Sequence, residues 1–207
     1  MKKIIEKNKK VDFYWDIAEL ASGIGLALFF FSHMFNDSTI ILGEWAFNGV
    51  AHIMEVLYLE QLMFIAVPSL IIFHVIVAGR RIPSHLADMK VMQKHFKEVK
   101  HKSTRLWAFQ VVSGVAIGFL ATAHFWTIFS SGPISAQASA ARIKQGPFFI
   151  LYLLLIGFTS IHTGLGLYRQ GVKWVSIDRG FLTHVLRVVT GGIIILSLVS
   201  FARFYFL

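Results

Sequence analysis

Apolar residues gather into five long blocks, and nearly all of the charge lies in the segments between them. The blocks run roughly over 15–35, 59–79, 106–130, 148–168 and 185–206. A hydrocarbon core of about 30 Å takes about 20 helical residues, and each block meets that length. The pattern predicts an all-α integral membrane protein, a single membrane domain over 1–207 with five transmembrane helices. The first block is full length and no small-residue cleavage site follows it, so it reads as a span and not as a cleavable signal peptide.

Local signals mark the edges of the blocks. Ser103 or Thr104 can cap the third span, and Pro147 suits a first helical position, where no amide is lost. Pro68 lies inside the second span and should bend it. Gly114 and Gly118 form a small-xxx-small pair that allows close helix contact. In the connection after the second span, Leu86, Met89, Met92, Phe96 and Val99 recur at helical spacing beneath a basic face, which predicts a short surface helix.

Composition excludes a water-soluble globule: the 207 residues are 56% hydrophobic and 15% charged, with a mean hydropathy of +0.64. The formal charge of +9 would raise nucleic-acid binding in a soluble chain, but its placement assigns it to topology and no nucleic-acid partner is expected. Seventeen of the 20 basic residues fall before the first span, in 80–105 and around 169–187, whereas the other side carries only Arg142, Lys144 and Arg203. The positive-inside bias then puts the N-terminus in the cytoplasm and the C-terminus outside. The basic connection 80–105 is a candidate docking face for a cytoplasmic partner or for membrane lipid, and both remain open. There is no cysteine, which removes disulfides, thiolate nucleophiles, c-type haem attachment and iron–sulfur ligation from this chain.

Of nine histidines, His52, His85, His95, His101 and His184 fall in connections or at span edges and read as solvated. The other four, His33, His74, His124 and His162, lie one in each of the first four spans. An ionisable residue within a span marks a site by default. Because the spans alternate in direction, a rise of 1.5 Å per residue puts His33 and His124 in the outer half and His74 and His162 in the inner half. Only that pairing joins residues of equal height, and it gives two stacked two-histidine sites separated by about 13 Å along the membrane normal. Paired imidazoles across a four-helix bundle suit a low-spin haem with both axial positions filled, which moves electrons and has no open position for oxygen. The first four helices are therefore expected to form a haem-binding bundle. Zinc is disfavoured, since no Cys, Asp or Glu in the spans completes a tetrahedron. A proton relay remains an alternative for the same histidines.

The segments HMFNDSTIILG (33–43), FHVIVAGRRIP (73–83), TRLWAFQ (104–110) and IHTGLGLYRQGVKW (161–174), with the histidine spacing, resemble the dihaem cytochrome b membrane-anchor subunit of the quinol:fumarate reductase and succinate:quinone oxidoreductase (succinate dehydrogenase) family. The resemblance implies two haem b groups, with His33 and His124 ligating the outer iron and His74 and His162 the inner one. Trp107 and Lys173 match positions that approach the inner haem's propionates, and Arg142 an outer one. The implied partners are a flavoprotein subunit and an iron–sulfur subunit on the cytoplasmic side, in the bacterial cytoplasmic membrane. Menaquinone or another quinone is the implied substrate. Direction of electron flow and a dimer of heterotrimers are left open. Some dihaem relatives carry a Glu where this chain has Ser160, and a hydroxyl cannot hold a charge, so the resemblance does not extend to that proton route.

Quinol oxidation releases protons and needs an acceptor. Glu44, Glu55, Glu60 and His52 lie in or beside the lightly charged outer connection and are candidates, with solvated carboxylates as the plainer reading of each. The competing functions are a cytochrome b subunit of another quinone-linked complex, of the hydrogenase or formate dehydrogenase type, and a haem-free transporter using histidines as proton relays.

Overall fold

The computed structural model describes residues 9–80, 82, 90, 94 and 102–207. The described residues form α1 (Lys9–Ser38), a 3₁₀ turn (Thr39–Leu42), α2 (Glu44–Val56), α3 (Leu59–Gly79), α4 (Lys102–Phe129), α5 (Ala136–Ile143), α6 (Gly146–Trp174) and α7 (Arg179–Tyr205), and no strand occurs among them. Five of these, α1, α3, α4, α6 and α7, are long and apolar enough to cross a membrane.

The α3 helix has the bounds the apolar pattern predicts, while α1, α4, α6 and α7 run past theirs at one or both ends. Helical hydrogen bonding continues into polar residues at the interface, so the apolar block marks the hydrocarbon crossing and not the helix end. Local chemistry sets several ends. The Asp178 carboxylate accepts from Phe181 N at 2.8 Å to start α7, and Pro147 sits in the first turn of α6. Ser103 and Thr104 lie within α4, which already includes Lys102. The α3 helix continues through Pro68. Of the surface helix expected over Leu86–Val99, Lys90 and Lys94 are described and are helical, while Leu86, Met89, Met92, Phe96 and Val99 lie outside the described residues.

Packing divides the membrane helices into two antiparallel hairpins, α1 with α3 and α4 with α6, while α7 packs against both α6 and α1. Apolar side chains such as Ile65 and Phe119, 73% and 77% exposed, face outward, where lipid replaces water as the neighbour. Among the described residues the fully or nearly buried polar ones are all serines, at 22, 113, 160, 197 and 200. Four of them return their hydroxyl proton to a carbonyl one turn earlier, which lets a polar atom sit in an apolar interior.

Below, the basic face is the one at which α1 starts, and the far face is its opposite. The far face is closed by more structure than the hydropathy pattern suggested. Its two connections contain α2 and α5, whose Phe47, Ala136 and Ile143 pack with Ile40, Phe201 and Phe204 into the main buried apolar cluster. Phe47 meets Phe204 edge-on at 5.0 Å, and Asn48 Oδ1 accepts from Ala136 N at 2.8 Å, joining the two connections. The turn into α2 depends on Gly43, whose φ of +122° is strained for any L side chain.

Candidate cofactor site between the hairpins

The four histidines of the spans lie in two tiers. In the far tier, His33 on α1 and His124 on α4 face one another with ring centroids 6.1 Å apart. Two imidazoles bound on opposite sides of one metal ion through bonds of about 2.0 Å would have centroids about 6.2 Å apart, allowing about 1.1 Å from nitrogen to ring centre. The observed gap fits that sandwich. Phe29 stacks on His33 at 5.6 Å and Tyr152 meets His124 edge-on at 5.3 Å, so aromatic groups wall the tier. His124 Nδ1 is buried with no hydrogen-bond partner among the described residues, and Asp37 Oδ2 lies 3.6 Å from His33 Nε2.

The second tier, toward the basic face, holds His74 on α3 and His162 on α6, within electrostatic reach of one another. Each ring is seated by the other helix of its own hairpin. Ser22 Oγ lies 2.9 Å from His74 Nδ1, and Ser113 Oγ lies 2.9 Å from His162 Nδ1. A glycine follows each serine at the point of closest approach. A Cβ on Gly23 would stand 3.4 Å from His74 Cε1, and one on Gly114 would stand 3.1 Å from His162 Cε1. Gly114 is therefore a seat for a histidine, and Gly118, whose Cβ would meet nothing within 4 Å, takes no part; the small-xxx-small helix contact expected of the pair is not formed.

These seats also measure the tier spacing. Ser22 precedes His33 by 11 residues, and Ser113 precedes His124 by 11. At 1.5 Å per residue α1 and α4 both place the tiers about 16 Å apart, somewhat more than the 13 Å read from span ends. The repeated Ser-Gly dipeptide 11 residues before a histidine was present in the sequence as a signal, but its meaning depends on a partner ring from another helix.

Beside this tier, on the basic face, is an ionic cluster that hydropathy did not single out. Asp16 on α1 accepts from Arg80 at the end of α3 and pairs with Lys173 Nζ on α6 at 2.6 Å. Glu19 lies 3.5 Å from Arg80 and accepts from Gln170 Nε2 at 3.2 Å, while Trp174 Nε1 donates to Gln170 Oε1 at 3.1 Å. The family resemblance implies a propionate contact for Lys173, and Arg80 counts toward the basic bias of its connection; in the structure both meet Asp16. Trp107 is half-buried in the second turn of α4.

Arg142, on α5, lies within electrostatic reach of His124 and lines a cavity of about 400 Å³ with Trp126, Thr127, Ser130, Gln145 and Phe148. The quinone candidates separate. Glu44 accepts from Gln137 across the far-face cap. His52 and Glu55 are exposed on α2, 3.8 Å apart, and Glu60 is half-buried in the first turn of α3. Ser160 is buried and its hydroxyl has no hydrogen-bond partner among the described residues.

Comparison with known proteins agrees with this architecture. Residues 88–201 match the family model of the succinate dehydrogenase/fumarate reductase transmembrane subunit. The chain is 31% identical over 168 residues to a fumarate reductase cytochrome b subunit of Helicobacter pylori (strain J99), covering 77% of this chain and 66% of that one. It is 29% identical over 203 residues to the fumarate reductase cytochrome b subunit of Wolinella succinogenes, covering 89% of this chain and 78% of that one.

Proposed function

The chain belongs to the succinate dehydrogenase/fumarate reductase transmembrane subunit family, and from that premise we propose that it is a dihaem cytochrome b anchor that passes electrons between a membrane quinol and an iron–sulfur subunit. The observation that carries this reading is the pairing of four span histidines in two tiers, one pair with a 6.1 Å gap and the other seated by matching serines. Haem b, when bound, supplies at each tier a one-electron store closed to oxygen.

The chain's own work is positional. His33 and His124 hold the far tier, His74 and His162 the tier near the basic face, and the helices around them exclude water from the path between. Trp107 toward one face and Arg142 toward the other are the groups that would meet carboxylates at the ends of the bundle, and Lys173 would join Trp107 by exchanging its Asp16 partner. The basic face is the cytoplasmic one in this reading, supported by the uneven distribution of Lys and Arg. A chain with no cysteine is consistent with cluster chemistry carried by a separate subunit, with a flavoprotein beyond it acting on fumarate or succinate. The membrane is then the bacterial cytoplasmic membrane.

Quinol oxidation at the far face releases two electrons and two protons for each quinone formed. Among the acidic candidates, Glu60 is the strongest acceptor: it is half-buried at the start of a membrane helix, whereas Glu44 is engaged by Gln137 and Glu55 stands exposed with His52.

Purified with its partners, the chain is expected to carry two haems and to show a reduced-minus-oxidised α band. A preparation without that band overturns the proposal. A nickel or molybdenum subunit in place of a flavoprotein would move it to another quinone-linked complex.

A further inference from the structure

Resting on the two-haem reading, we propose that Ser22 and Ser113 are positioning residues of the basic-face tier: their oxygens accept from Nδ1–H of His74 and His162, hold both rings as Nε2 ligands, and lower the reduction potential of that tier.

The hydroxyl proton of each serine is already used. Ser22 Oγ donates to Ala18 O at 2.7 Å, and Ser113 Oγ donates to Gln110 O at 3.1 Å. A hydroxyl has one proton to give and lone pairs to spare. The 2.9 Å contacts to His74 Nδ1 and His162 Nδ1 are then made with the ring nitrogen donating. A neutral imidazole that carries its proton on Nδ1 presents a bare Nε2 lone pair. Each serine therefore selects the tautomer that binds metal, and fixes the ring plane at the same time. Both serines are almost completely buried, at 2% and 0% exposure, so water does not compete for the contact.

Gly23 and Gly114 complete the arrangement, since they let the rings come close enough to reach the adjoining oxygen. The duplication is in itself informative. Ser-Gly stands 11 residues before the far-tier histidine in α1 and again in α4, and each pair seats the histidine of its hairpin partner. The basic-face tier is thus built from two equivalent halves. Among the described residues the far tier shows no counterpart: His124 Nδ1 has no hydrogen-bond partner there, and Asp37 Oδ2 stands 3.6 Å from His33 Nε2. A hydrogen bond accepted from Nδ1–H makes the ligand more basic, which favours the oxidised metal. Two such bonds on one tier and none of that kind on the other separate the two potentials.

The test uses the whole complex with Ser22→Ala, Ser113→Ala and the double variant, each followed by haem-to-protein ratio, redox titration and low-spin electron paramagnetic resonance. The His33→Ala variant, which leaves only the basic-face tier, assigns the midpoints. Each serine removed is expected to change the oxidised-to-reduced ratio of that tier roughly fivefold, raising its midpoint by about 40 mV at 59 mV per tenfold. The far-tier midpoint stays in place, and Ser→Thr restores the wild-type value. If an alanine variant loses the basic-face haem, restoration by threonine supports the hydroxyl assignment and equal loss in threonine overturns it. Two haems retained with an unmoved basic-face midpoint in the double variant overturn it as well. A wild-type complex with fewer than two haems removes the two-haem reading itself, and the serine proposal with it.

Discussion

Gly114 offers the sharpest test of how the tiers are built, because the same helix supplies its own control. A Cβ at Gly114 would stand 3.1 Å from His162 Cε1, whereas carbon atoms pack best at about 3.5–4.0 Å. Gly114→Ala thus forces the ring or the helix to move by about 0.5 Å, and overpacking of this kind costs about 1–3 kcal/mol. Against this, alanine is the better helix former by about 0.5–1 kcal/mol. At Gly118, where an added Cβ meets nothing within 4 Å, only the helix term operates. Gly23 is intermediate at 3.4 Å, an ordinary contact with His74. The order of effects is therefore Gly114→Ala harmful by about 0–2 kcal/mol, Gly23→Ala near neutral and Gly118→Ala neutral to stabilising. A loss of 1–2 kcal/mol at the basic-face tier lowers haem affinity about 5–30-fold. Haem-to-protein ratio against denaturing detergent, with the α band followed on heating, measures this. Gly114→Leu should empty that tier outright while leaving the far one intact. If Gly114→Ala and Gly118→Ala behave alike, or if the far tier is the one that suffers, the seat assigned to Gly114 is wrong.

Three further outcomes are expected. His33→Ala and His74→Ala should each remove one haem and leave the other, halving the haem-to-protein ratio; an unchanged ratio in either variant refutes the tier assignment. Asp16→Asn leaves Arg80 and Lys173 without the anion they share, and the partial exposure of all three limits the cost to about 1–2 kcal/mol, read as an earlier thermal loss of the complex. Glu60→Gln should retain both haems while slowing quinol oxidation at least tenfold, whereas Glu44→Gln should leave turnover close to wild type; equal turnover in Glu60→Gln and wild type would exclude Glu60 as the acceptor.

Membrane insertion is governed by local composition, and so the five spans could be read directly from the chain. The depth of each histidine was legible for the same reason, since height along a helix of known direction is a count of residues. The pairing of His33 with His124 followed from that count, and their rings do meet. Properties that depend on two helices at once were not legible. Ser22 and Ser113 look like ordinary small residues in an apolar run until a ring from the neighbouring helix arrives at 2.9 Å. Gly114 looks like half of a helix-packing pair for the same reason. Asp16, Arg80 and Lys173 are separated by up to 157 positions and become a cluster only because α1, α3 and α6 end on one face. The far-face helices α2 and α5 escaped hydropathy because they are short and gain their stability from Phe47, Ile143 and Phe204 packing together, not from lipid. The sequence by itself determined how many times the chain crosses the membrane and at what depth each span histidine lies. Which neighbour seats each histidine was decided by the tertiary structure, because a hydrogen bond or a close contact between helices is a property of the pair, and neither helix carries it alone.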